Sequence, residues 1–181
     1  MPFISYVDPA RLEGEAKEIY ERAEAKSGRV TNMVKTLLHS VPAFRALEFY
    51  PVRDVLAKRL GLRAVYFFCY AISTEDECII CSTYHARLLK SIGIRPEEFE
   101  FTEEEKVLVQ YGRALAHNAN RIDPSIYAEL KRLFTEDEIV LITAVGCRMI
   151  ASNLFNSALK IPLDDYLEKV DFDSAILEKA Y

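Results

Sequence analysis

Residues 62–73 (LRAVYFFCYAIS) constrain the fold more than any other stretch, because they are apolar on nearly every side and broken only by Arg63. A segment without a polar face cannot lie on a surface and must be covered by neighbours all round. Its aromatic and β-branched residues would also suit a buried strand. The segments on both sides decide for a helix, since helix start and stop signals recur along the chain and strand signals are scarce.

Asp8-Pro9 reads as an N-cap followed by proline at the first helical position, with Leu12, Ala16, Ile19, Tyr20 and Ala23 at helical spacing and Gly28 as a stop. A further helix follows the loop 29–32, and another starts near Ser40-Val41-Pro42, with Pro51 dividing it. Thr74-Glu75-Asp76-Glu77 reads as a capping box opening a helix that stops at Gly93, and Thr102 with Glu105 reads as a second one. Asp123-Pro124 starts a short helix. Thr135-Glu136-Asp137-Glu138 repeats the first tetrapeptide and opens a long apolar helix over 139–159, ended by Pro162. The repeat would fit duplication of a helical unit, but capping boxes recur by chance and that is the simpler account. The expectation is an all-α multi-helical bundle in a single domain over 1–181.

With half of its 181 residues apolar, the chain has ample material for one core, and 6 Gly and 7 Pro are too few for a loop-rich protein. A net charge of -5 disfavours nucleic acid and anionic membranes as partners. The first residues, Met1-Pro2-Phe3-Ile4-Ser5-Tyr6, lack a basic region and a sustained apolar stretch, so no signal peptide is expected, and the apolar run 62–72 is too short to span a bilayer. Four cysteines in a chain of this size do not make a secreted disulfide framework, so a cytoplasmic protein is expected. Cys69 and Cys147 read as core fillers, Glu103-Glu104-Glu105 as a helix start, and His117 as a helix-end residue.

The pattern that can carry chemistry is C-x2-C-x3-H: Cys78, Cys81 and His85. On a helix these positions fall within roughly a 60° arc. Near a helix N-terminus the macrodipole favours a thiolate, a cysteine one turn away can close a disulfide, and a histidine can move a proton near neutral pH. Two other readings stand beside this one. The cysteines can be small apolar fillers with His85 a hydrogen-bonded core histidine. A zinc site would need a fourth ligand, and the other histidines, His39 and His117, form no close second pair. No metal and no cofactor are therefore expected. The acidic run 75–77 beside Cys78 opposes thiolate formation.

Gly28-Arg29-Val30-Thr31-Asn32, His39-Ser40, the helix pair around Cys78-x2-Cys81-x3-His85-x7-Gly93, the helix after Thr135 and Ile161-Pro162-Leu163-Asp164 together resemble the alkylhydroperoxidase D-like branch of the carboxymuconolactone decarboxylase family, over roughly residues 8–165. The resemblance implies an all-α fold assembled as a homo-oligomer, trimer or hexamer, with the cysteines near subunit contacts. It implies an antioxidant peroxidase in which Cys81 attacks a small organic hydroperoxide, Cys78 resolves it as a disulfide, His85 belongs to the proton relay, and a thiol protein is the reductant. Two positions depart from the family pattern. Tyr66 stands where a relay glutamate is usual, twelve residues before Cys78, and Ile80 stands where some members have histidine. Neither can serve as the usual base. Decarboxylase or lactone chemistry without thiols, and a non-catalytic oligomeric domain, are the alternatives. The all-round apolar segments 62–73 and 139–159 also ask for more cover than one layer of short helices gives, which again predicts self-association.

Overall fold

The computed structural model describes residues 3–95, 98–168 and 170–181, so Met1 and Pro2 of the N-terminal stretch lie outside the described residues. Among the described residues there are nine α-helices and no strand: α1 (Gly14–Ser27), α2 (Asn32–Leu37), α3 (Val41–Leu47), α4 (Tyr50–Leu60), α5 (Leu62–Glu75), α6 (Ile79–Ser91), α7 (Glu103–Asn118), α8 (Pro124–Leu133) and α9 (Glu136–Ala158). Single 3-10 turns lie at Pro9–Arg11, Ala119–Arg121 and Asp165–Leu167, and a longer one at Ser174–Ala180.

The apolar stretch is the central helix α5, whose residues Ala64 to Ser73 are all buried. It packs against α4, α6, α7 and α9. Two apolar clusters meet on it. One face carries Val65, Phe68, Cys69 and Ile72 into a core with α7, α8 and α9. The other carries Tyr66, Phe67 and Tyr70 towards α6 and the C-terminal turn. Phe67 packs on Phe99 and Phe101, with ring centroids 4.8 and 4.7 Å apart. Gly112 of α7 and Gly146 of α9 bring those helices onto Phe68, since a Cβ at either position would lie 3.0 Å from its ring. Helix α9 has the length and hydropathy of a membrane span. In this fold its face Ile142, Val145 and Met149 is buried in the core instead.

Many local expectations hold. The capping boxes at Thr102 and Thr135 both close, so the acidic run 103–105 is a helix start. Its third member also receives Arg63 in a bidentate pair (Nε–Oε1 2.5 Å, Nη2–Oε2 2.7 Å), which ties α5 to α7. Pro51 falls in the first turn of α4 and separates it from α3. Gly28 ends α1 in the left-handed conformation.

Three details are corrected. Asp8-Pro9 opens only one 3-10 turn, and α1 begins at Gly14. Cys147 is exposed, not a core filler, because α9 buries its opposite side. The capping box read at Thr74 does not form, because Thr74 lies in the last turn of α5. The repeated tetrapeptide therefore ends one helix and begins another, which removes the structural support for a duplication.

Candidate thiol site

The turn between α5 and α6 sets the site. The Asp76 amide closes onto the Ile72 carbonyl, Glu77 takes a positive φ of 53°, and the Cys78 amide donates to the Ser73 carbonyl at 3.0 Å. Helix α6 then starts at Ile79, so Cys78 is its N-cap rather than a residue inside it. The amides of Ile80 and Cys81 face the Cys78 sulfur, although no regular side-chain cap is closed. They act as dipoles of the helix N-terminus.

The two cysteines lie close together without a disulfide, and both thiols are free. Cys78 is pulled down to about 7, first because the Cys81 thiol donates to it, then through the amides of Cys81 and Ile80 and the side chain of Asn156, against the effect of burial. Cys81 is pushed well above the ordinary thiol range as the donor of that bond, by burial, and by the charge on Cys78. Cys78 is thus the more acidic thiol of the pair. Both residues are almost closed to solvent, at 2% and 6% exposure.

His85 lies two turns into α6, and its fully buried Nδ1 is 2.9 Å from the Cys81 carbonyl. That partner fixes the proton on Nδ1, leaving Nε2 as a buried acceptor without a hydrogen-bond partner. Burial, and then the nearby Arg53 guanidinium, hold the ring down to about 3, so it is neutral. The structure thus brings Cys78, Cys81 and His85 together, with the histidine bonded to the Cys81 backbone rather than to a sulfur. Tyr66, in the position of the relay glutamate, is nearly buried, and its ring centroid is 5.9 Å from the guanidinium carbon of Arg53 on α4. Burial raises its pKa, so it too stays protonated. Ile80 packs on the main core.

Two residues were not singled out from the sequence. Asn156 of α9 donates Nδ2–H to the Cys81 sulfur at 3.2 Å, and Asn153, one turn earlier, donates to Asp76 Oδ2 at 2.7 Å. The available signal was two asparagines, one turn apart, in an otherwise apolar helix. The other histidines are elsewhere: His39 bonds the Ser5 carbonyl, and His117 pairs with Glu75 at 3.2 Å. Among the described residues no cluster of three or more His, Cys, Asp or Glu side chains is placed to hold a metal ion.

Known structures share this fold. The chain is similar to an alkylhydroperoxidase AhpD core, an uncharacterized peroxidase-related protein from Ralstonia eutropha JMP134, with a TM-score of 0.72 and 17% identity over 92% of this chain and 94% of that one. An uncharacterized peroxidase-related protein from Silicibacter sp. TM1040 matches with a TM-score of 0.72 and 15% identity over 93% and 92%. A protein of unknown function from Agrobacterium tumefaciens, described as a candidate antioxidant-defence protein AhpD, matches at 0.57 and 18% identity over 70% and 93%. No protein-family model matches the chain, and no curated protein matches it in sequence. The fold is that of the alkylhydroperoxidase AhpD core.

Proposed function

We propose that the chain is a thiol-dependent peroxidase that reduces small organic hydroperoxides through Cys78 and Cys81. One observation carries this reading: two free thiols one turn apart sit at a helix N-terminus, with Cys78 at the N-cap and the Asn156 amide on the Cys81 sulfur. Attack by Cys81 requires its proton to pass to Cys78, the more acidic thiol beside it. The Cys81 sulfur then takes the terminal oxygen of the hydroperoxide, forming S–O as O–O breaks, and the departing alkoxide takes the proton from Cys78 to leave as an alcohol. The Cys78 thiolate displaces hydroxide from the Cys81 sulfenic acid, closing the disulfide, and the hydroxide becomes water with a solvent proton. A protein dithiol restores the pair by exchange, which implies a reducing compartment such as the cytoplasm. The closed setting of both sulfurs restricts the oxidant to a small molecule, and exchange with a protein dithiol requires the turn between α5 and α6 to open.

Brief exposure to equimolar tert-butyl hydroperoxide is expected to lower the intact mass by two hydrogens, with a Cys78–Cys81 disulfide in the peptide map. Cys81→Ser is expected to abolish that conversion. No conversion, together with thiols slow toward alkylating reagents, would replace the peroxidase reading with a non-catalytic domain whose cysteines only pack.

The chain is further proposed to act as a homo-oligomer, a trimer or hexamer as the resemblance implies. Val140, Ala144, Cys147 and Leu154 of α9 recur at spacings of four, three and seven and are exposed, Val140 and Leu154 at 69% and 62%. Such a stripe is a helix-packing seam. Light scattering at micromolar concentration is expected to give a multiple of the 20.7 kDa chain, and Val140→Glu with Leu154→Glu to reduce it towards the monomer. A monomeric wild type would overturn the proposal.

A further inference from the structure

Helix α9 buries three polar side chains on one face, Ser152, Asn153 and Asn156. Burying a primary amide is unfavourable unless its hydrogen bonds are made, and a leucine would fill such a position without that cost. Asn156 is 1% exposed, and among the described residues its side-chain amide bonds to the thiol pair. Its Nδ2–H lies on the Cys81 sulfur at 3.2 Å, and the same side chain acts on Cys78. Its Oδ1 is buried without a hydrogen-bond partner.

The amide is held in place from two directions. The backbone carbonyl of Asn156 accepts the amide of buried Ile161 at 3.0 Å, where the chain turns back after α9. One helical turn earlier, Asn153 clamps Asp76, in the turn that carries Cys78. A neutral thiol is a weak acceptor for an N–H and a thiolate a strong one, so this arrangement is worth most when the pair is charged.

We propose that Asn156 is the positioning residue of the thiol pair: its N–H holds the negative charge on either sulfur as the proton passes between them, and its unpartnered carbonyl accepts the O–H of the incoming hydroperoxide or of the Cys81 sulfenic acid. The carbonyl half of this assignment rests on the peroxidase reading above, and the N–H half does not. Charge reaches the pair from few directions. Asp76, at the end of α5, faces Cys81 and opposes its ionisation. Helix α6 presents His85, neutral, bonded to the Cys81 carbonyl, and α9 presents the amides of Asn153 and Asn156. The N–H of Asn156 therefore works against Asp76 and burial.

The test is the pH dependence of thiolate formation in the full chain, followed by thiolate ultraviolet absorbance and alkylation rate in a Cys147→Ser background. Cys69, buried and pushed up to about 12, stays silent through the range. Asn156→Ala is expected to raise the midpoint by about one to two pH units, lowering alkylation at neutral pH roughly five- to fiftyfold, with the rate regained in base. Asn156→Ser leaves similar room but keeps a donor, and is expected to restore most of the midpoint. Equal midpoints in wild type, alanine and serine variants would overturn the proposal, since a purely packing role predicts them. No oxidant enters this titration. A raised midpoint in the alanine variant beside a wild type that forms no disulfide with peroxide would remove the peroxidase reading and keep the N–H assignment. An unmoved midpoint beside normal disulfide formation would do the reverse.

Discussion

Replacing Phe68 by alanine is expected to cost about 3–5 kcal/mol of stability, a large share of what holds a domain of this kind together. Phe68 is fully buried at the centre of α5, the helix on which α4, α6, α7 and α9 all pack. Its ring lies parallel to that of Tyr111, with centroids 6.4 Å apart, and both close-packed glycines press on it. Truncation leaves a cavity that these glycines cannot fill, because they carry no side chain to move in. A thermal melt followed by circular dichroism is expected to fall by on the order of 10 °C. Gly146→Ala gives an internal check. Its new Cβ would stand 3.0 Å from the Phe68 ring and 2.6 Å from a terminal methyl of Leu115. Overpacking of this sort costs about 1–3 kcal/mol. In the Phe68→Ala background part of the crowding is gone, so the two changes are expected to cost at least about 0.5 kcal/mol less together than apart. Strict additivity would mean that α9 does not bear on Phe68.

How far such features are legible in the sequence depends on whether they are local. Thr102 and Thr135 could be read as caps because each threonine is itself extended and the box closes within four residues. Thr74 carries the same tetrapeptide as Thr135 but follows Ile72 and Ser73, both fully buried. Their packing against α7 and α9 carries α5 on to Glu75, and a threonine inside a helix cannot be an extended N-cap. The consequence reaches the site, since the helix after the turn starts later and Cys78 becomes the N-cap itself. The exposed Cys147 was illegible for a related reason. Helix α9 is apolar all round in sequence, and only the position of its neighbours decides which side is covered. The cysteine–histidine pattern was legible because one helix carries all of it. Asn156 meets Cys81 across 75 positions of chain, and only the folded arrangement of α6 against α9 joins them. Tyr66 could be read as a departure from the family pattern, but its surroundings, Arg53 and the buried ring of α5, could not.

Acid is expected to loosen the fold through His85. In the unfolded chain this ring takes its proton near the ordinary value of 6.5, whereas in the fold burial and Arg53 hold it down to about 3. Between those two values the unfolded state binds a proton that the native state refuses, so stability is lost as pH falls from 6.5 towards 3, at up to about 1.4 kcal/mol per unit. Above 6.5 both states are neutral and the group contributes no pH dependence. Asp76 and Asp164 act the other way, since burial raises both carboxyls and the native state then gains protons first. His85→Gln isolates the histidine, because glutamine keeps a donor for the Cys81 carbonyl but has nothing to titrate. Urea unfolding at pH 7 and pH 4.5 is expected to show the wild type losing about 2–3 kcal/mol more than the variant. Equal losses would mean that the ring is protonated in the folded state at mild acidity. In that case His85 would be free to carry a proton towards the sulfurs, which a ring held neutral across this range is not. The slope of stability against pH therefore decides between a histidine that supports Cys81 through its backbone and one that serves it as an acid.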